Sequence, residues 1–208
     1  MARSIVGIIN LALSHSGIAF ISTYPDITTP QGITATALWD YILDEVLEAK
    51  DWRFAKKRYK MALSTTVPIF TWDYAYPLPD DFLRLCRGSK DDPAVYPLEV
   101  YGKIISPWAV EALEDDTLCL MTNFSNASED IYISYIARIV DPKKYSALFI
   151  KALSLRLGAQ ISVARTKDPK IFSNLMGAYR IALNEAESLN QSLDSEEKGN
   201  SDWEDAGR

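Results

Sequence analysis

The apolar positions change their period twice along the chain. Near the start, Ile5, Ile8, Ile9, Ala12 and Leu13 recur three and four apart behind Ser4, a hydroxyl placed to cap a helix. A polar loop through Tyr24-Pro25-Asp26 follows. Thr29-Pro30 then opens a second helix, with a cap donor and a proline at the first helical position. Its apolar rows, Leu38, Ile42, Val46 and Trp39, Leu43, Leu47, lie side by side. Two adjacent rows make the wide stripe of a helix packed between neighbours.

From about Tyr59 the period shortens. Apolar stretches at 74–78, 82–86, 96–101, 103–106, 117–121 and 131–139 alternate with turn residues. Pro68, Pro77, Pro79, Pro93, Pro97 and Pro107, six of the chain's 10 prolines, fall among them and exclude long helices. In the last stretch Tyr132, Ser134, Ile136 and Arg138 alternate with Ile131, Ile133, Tyr135, Ala137 and Ile139. This predicts a small antiparallel sheet, with Gly102 in a tight turn.

Helix returns after Asp141-Pro142. Leu148, Ala152, Leu155, Ala159 and Val163 form one apolar row and Phe149, Leu153, Leu157 and Ile161 another, leaving a narrow polar strip of Lys151, Ser154, Gly158, Ser162 and Arg165. Such a helix is expected at the centre of a bundle. Asp168-Pro169 starts a further one, in which Phe172, Leu175, Tyr179, Ala182, Ala186, Leu189 and Leu193 alternate three and four apart. That seam predicts a hairpin with the preceding helix, a partner subunit being the other reading. The fold class is therefore α+β. A helical bundle from 1–57 and 140–192 carries a β-rich insertion at 58–139, and an extended acidic tail follows at 193–208.

Composition narrows the functions. With 22 Lys and Arg against 28 Asp and Glu the chain carries net −6, unlike a protein that coats DNA. The charge is unevenly spread: net −1 over 1–57, −5 over 58–139, +4 over 140–192 and −4 over 193–208. Such polarity suits stacking against other proteins. Cys86 and Cys119 are too few for a metal cluster or a disulfide framework and read as reduced thiols of an intracellular protein. No run of 18 apolar residues marks a membrane span, and the N-terminal stretch reads as an amphipathic helix rather than a signal peptide. No cofactor, metal or membrane partner is expected.

Catalytic chemistry finds little support. No phosphate-binding glycine loop is present, and His15, the one histidine, reads as a helix-end residue between two serines. Paired acids such as Asp80-Asp81 and Asp115-Asp116 point apart or sit in turns. The nearest approach to a metal nuclease is Asp80 with Glu99 and Lys103, the last two separated by Gly102. The chain is expected not to be an enzyme. The basic stretch Lys50, Arg53, Lys56, Lys57, Arg58 and Lys60 is interleaved with Trp52, Phe54 and Tyr59. It could track a nucleic-acid backbone. The preferred reading has the cations offsetting a helix C-terminus while Trp52 and Phe54 pack inward, with Lys56, Lys57 and Arg58 available for a subunit contact.

This same stretch carries a resemblance. Leu38-Trp39-Asp40, Asp44-Glu45-Val46-Leu47 and Trp52-Arg53-Phe54-Ala55-Lys56-Lys57-Arg58 resemble the N-terminal signature of podovirus head-to-tail adaptors, also called tail tubular protein A. Trp72-Asp73-Tyr74-Ala75-Tyr76-Pro77-Leu78-Pro79-Asp80-Asp81-Phe82-Leu83-Arg84 is the most specific block. Tyr135-Ile136-Ala137-Arg138, Leu148-Phe149 with Ala152-Leu153, and the terminal Trp203-Glu204-Asp205-Ala206 continue it in order. The resemblance implies a structural virion protein at the head–tail interface, without catalytic residues. It implies a ring, a dodecamer of this chain, beneath the portal protein. The ring continues the channel through which DNA passes as cargo and seats the tail nozzle (tail tubular protein B). Whether tail fibres attach is left open, and a scaffolding or regulatory protein with a helical interaction face is the alternative.

In the tail, Trp203 is flanked by Asp202, Glu204 and Asp205. An aromatic anchor ringed by acids fits an apolar pocket with a basic rim. By resemblance the pocket belongs to the portal or a neighbouring subunit; the alternative is that Trp203 folds back on its own chain.

Overall fold

The computed structural model describes residues 3–86, 98–100, 103–104, 108–123 and 131–205, with 98–100, 103–104 and 189–205 described by backbone alone. The chain forms two compact units, Met1–Phe54 with Ile139–Arg208, and Ala55–Arg138. The mixed α+β class expected from the change of period is what the chain adopts.

In the helical unit, α1 (Ile5–His15), α2 (Pro30–Ala49) and α4 (Pro169–Asp205) all pack on α3 (Ala147–Arg165). Hydroxyl caps start three of them: Ser4 Oγ accepts from Gly7 N–H, Thr29 Oγ1 from Gly32 N–H, and Ser146 Oγ from Phe149 N–H. Asp141-Pro142 opens a single 3-10 turn, Pro142–Lys144, and not α3 itself, which begins behind Ser146. Trp39, Leu43, Val46, Phe149, Leu153 and Leu157 are buried, so the N- and C-terminal segments share this core. Trp52, Phe54 and Tyr145 ring Phe149 at centroid distances of 5.0, 5.0 and 4.8 Å. Their polar tips are satisfied: Trp52 Nε1–H donates to Val46 O at 2.7 Å and Tyr145 O–H to Ile139 O at 2.7 Å. α3 has the length and mean hydropathy, 1.4, of a membrane-spanning helix, and over half of it is buried within this unit.

Three features refine the sequence reading. The middle of the α3 polar strip does not face water: Ser154, Gly158 and Ser162 are buried, while Lys151 and Arg165 at its ends are exposed. Small residues there let α1 approach closely; Ser16 Oγ–H donates to Gly158 O at 3.1 Å, and His15 Nε2 lies 3.3 Å from Ser154 Oγ. Burial lowers the His15 pKa. The cations after α2 divide: Lys50 is the C-cap residue of that helix, whereas Lys56, Lys57, Arg58 and Lys60 lie beyond its end. α2 stops at Ala49, Lys50 pairs with Glu187 of α4, and 56–60 are a strand. Lastly, the α4 backbone runs as helix to Asp205, through the stretch expected as a tail from 193. No proline interrupts that stretch, and Glu196, Glu197 and Lys198 are good helix formers.

The α1–α2 loop is organised by Asp26, which is buried. Its carboxylate accepts from the Thr28 N–H (2.8 Å) and hydroxyl (2.7 Å) and from the Thr29 N–H (3.2 Å) and hydroxyl (2.5 Å). The Thr29 hydroxyl first, then the two Thr28 bonds, hold this carboxyl far below its ordinary 3.8. A depressed folded-state pKa contributes stability above the unfolded value and loses it as pH falls toward the folded one. The stability gap between wild type and Asp26→Asn should therefore be full at neutral pH and shrink below 3.8. Melting curves of both proteins across that range check it; a gap independent of pH contradicts it.

In the second unit, β8 (Tyr132–Ala137) is the axis of one sheet. β1 (Lys56–Lys60) pairs antiparallel along one side of it, Lys57 opposite Tyr135. β3 (Phe82–Leu85) and β4 (Leu98–Val100) pair end to end along the other, and β5 (Lys103–Ile104) pairs with β4. A second sheet has the order β2 (Tyr74–Pro77), β7 (Leu118–Thr122), β6 (Trp108–Ala112). Its core is Ala75, Leu113, Cys119 and Met121, with Trp72 packed against it.

Candidate interaction surfaces

β1 is an edge strand whose five residues are all exposed, four of them cations. Lysines on an edge block indiscriminate strand addition, so part of this charge serves solubility. Lys57 has a specific partner. Its ammonium pairs with Asp81 Oδ2, while Asp81 Oδ1 accepts from the Tyr135 hydroxyl at 2.9 Å and Asp81 O accepts from Arg138 N–H at 2.7 Å. Partial burial alone would raise the Asp81 carboxyl; the Lys57 and Tyr135 contacts outweigh it and hold it below the ordinary range. Burial first, then the Asp81 carboxylate, push the Tyr135 phenol up. Losing the two partners should not cost the same. Lys57→Ala removes a half-exposed ion pair, at about 1 kcal/mol or less. Asp81→Ala also strands the phenol of a buried tyrosine, at about 1–3 kcal/mol. Denaturant midpoints of the two variants decide it, and equal losses contradict the assignment.

The second surface belongs to the β2–β7–β6 sheet. Before β2 the chain runs through Val67, Ile69 and Phe70, which are 71%, 70% and 78% exposed. Trp72 N–H bonds back to Phe70 O at 2.9 Å around Thr71, whose φ is +74°. That is the strained, positive-φ form of the γ-turn, in a β-branched residue that disfavours it. The turn returns Trp72 to the sheet core and leaves Phe70 in solvent. Alongside lies an open groove of about 400 Å³, with Leu113 and Met121 at its wall and Glu111 and Glu114 among its lining. The β6–β7 turn adds exposed Asp115 and Asp116; the Asp115 carboxylate accepts from Thr117 N–H at 3.1 Å, and this bond lowers its pKa. Cys119 is buried beneath, and burial pushes its thiol up.

Of the residues singled out in the sequence, Lys56, Lys57 and Arg58 lie together on β1. Asp202, Trp203, Glu204 and Asp205 lie in the last turns of the α4 backbone, and their side chains fall outside the described residues. Asp80 is exposed at the turn before β3. Glu99 and Lys103 stand on β4 and β5, where Glu99 pairs with Ile104 and Lys103 with Val100; their side chains, and Gly102, fall outside the described residues. Among the described residues no group of three His, Cys, Asp or Glu is placed to hold a metal. The exposed Val67-Pro68-Ile69-Phe70 run was missed. Its signal was four successive apolar residues without alternation, too short for a helix and interrupted by proline. Comparison of the chain with protein-family models gives no match, and neither does comparison with curated proteins.

Proposed function

We propose that this chain is a structural head-to-tail connector of a tailed phage, and not an enzyme. Copies of it form a ring, a dodecamer, beneath the portal. There the ring continues the DNA channel and offers a platform to the tail nozzle, within the virion tail. The observation that supports the reading most is the convergence of the resembling blocks on one carboxylate. Lys57 comes from the first block, Asp81 from the second, and Tyr135 and Arg138 from the third, and all meet at Asp81. Blocks far apart in sequence thus form one structural joint, as residues kept together by a shared fold would. The two exposed surfaces, one basic and one apolar with acidic neighbours, suit a protein whose work is contact with other proteins.

On this reading Trp203, with Asp202, Glu204 and Asp205, anchors the chain to the portal or to a neighbouring subunit. Co-sedimentation with portal-bearing capsids tests both statements. Full-length chain should remain bound, whereas a chain lacking 195–208 should keep its melting temperature and lose stable attachment. Failure of the full-length chain to bind contradicts the connector reading. Full occupancy by the truncated chain contradicts only the anchor.

A further inference from the structure

We infer that the β2–β7–β6 sheet of one copy docks on the α3–α4 corner of a second copy, head to tail. The inference deepens the connector reading by naming the contact between ring neighbours, and it is tested without the portal. Residues 61–83 and 104–137 contain no Lys, Arg or His, and the whole of this sheet, its exposed apolar loop and its groove lie within them. Glu111, Glu114, Asp115 and Asp116 are all exposed there. A partner for Phe70 and its neighbours must therefore bring apolar area together with cations.

The chain carries such a surface. At the corner between α3 and α4, Arg165, Lys167 and Lys170 are exposed and make no ion pair among the described residues. The one acid of the corner, Asp168, is occupied in the turn, where its Oδ1 accepts from Lys170 N–H at 2.8 Å. Apolar area lies in the same stretch: Val163 is 52% exposed, Ala164 is exposed, and Ile171 and Phe172 are half-buried. Neither surface can pair with its own copy, because acid would face acid and cation would face cation. A two-fold dimer through either face is disfavoured for that reason. The acidic face on the basic corner is a heterologous contact, the kind that generates rings when the rotation closes. Its polar part is screened by salt, so the contact weakens as ionic strength rises.

Crosslinking between copies tests this. One chain carries Phe70→Cys and another Val163→Cys; both sites are exposed, and the native Cys86 and Cys119 are buried, with wild type as control. A short bismaleimide should crosslink the mixture to heterodimers at low salt, and each variant alone should give only the wild-type background. A chain with both substitutions should give ladders. Adding Glu111→Lys and Glu114→Lys to the first chain should lower the yield by about tenfold. Adding Arg165→Glu and Lys167→Glu to the second should then restore it. Crosslinks equally strong within each variant, no product at the highest soluble concentration, or a failure of the paired reversals to restore the yield overturns the contact. A chain that forms rings on portals yet gives no such product overturns the contact and leaves the connector reading standing.

Discussion

Phe149→Ala should destabilise the helical unit by about 3–5 kcal/mol, the largest effect expected of any single substitution here. Phe149 is fully buried at the start of α3 and meets three aromatic rings, two from the chain after α2 and one from the turn before α3. Edge-to-face pairs add about 0.5–1.5 kcal/mol each beyond the area they bury. The neighbours cannot close the void freely, because Trp52 and Tyr145 are tied to backbone carbonyls at their far ends. Urea denaturation followed by tryptophan fluorescence reads the loss directly, since Trp52 borders the cavity. A change below about 1 kcal/mol would mean the cluster does not join the two halves of the helical unit.

The second large effect is a contrast in sign between two glycines. A Cβ at Gly158 would stand 2.7 Å from the backbone oxygen of Ala12, closer than real contacts allow, so α1 must move away from α3. Alanine is the better helix former by about 1 kcal/mol. Forcing apart a packed helix pair costs about 1–3 kcal/mol, and here the obstacle is backbone that cannot rotate aside. Sterics win, and Gly158→Ala destabilises. At Gly177 in α4 an added Cβ meets nothing within 4 Å, so only propensity acts. Gly177→Ala should stabilise by about 0.5–1 kcal/mol. Thermal melts of the two variants check the pair; the same sign for both contradicts the α1–α3 contact.

The helices were legible because each carries a start signal and a period. Ser4 and Thr29 cap as read, and the rows of α2 and α3 turn inward except at the end of α3, where Val163 is exposed. The meaning of the α3 polar strip was not legible. Ser154, Gly158 and Ser162 look solvent-facing by type, yet small residues also make room for a crossing helix, and only α1 decides between the two. β1 was illegible for a different reason. Lys56-Lys57-Arg58-Tyr59-Lys60 has no alternation and little β-propensity, and it is a strand because β8 offers a free edge. β6 escaped although Trp108-Ala109-Val110 has an aromatic and a β-branched residue, since the run is short and follows Pro107. Of the interaction surfaces, the cations of β1 were visible as a group, but their tie to Asp81 and Tyr135 spans 24 and 78 positions of chain and exists only in the fold. The exposed loop at Phe70 depends on the turn at Thr71, which composition does not announce.

The connector reading is tested most directly by electron microscopy of the purified full-length chain mixed with its portal. The reading predicts class averages with a closed ring of this chain stacked coaxially on the portal, twelve subunits around an open channel. Portal particles bare of this chain, or decorated by single copies that form no ring, would contradict it.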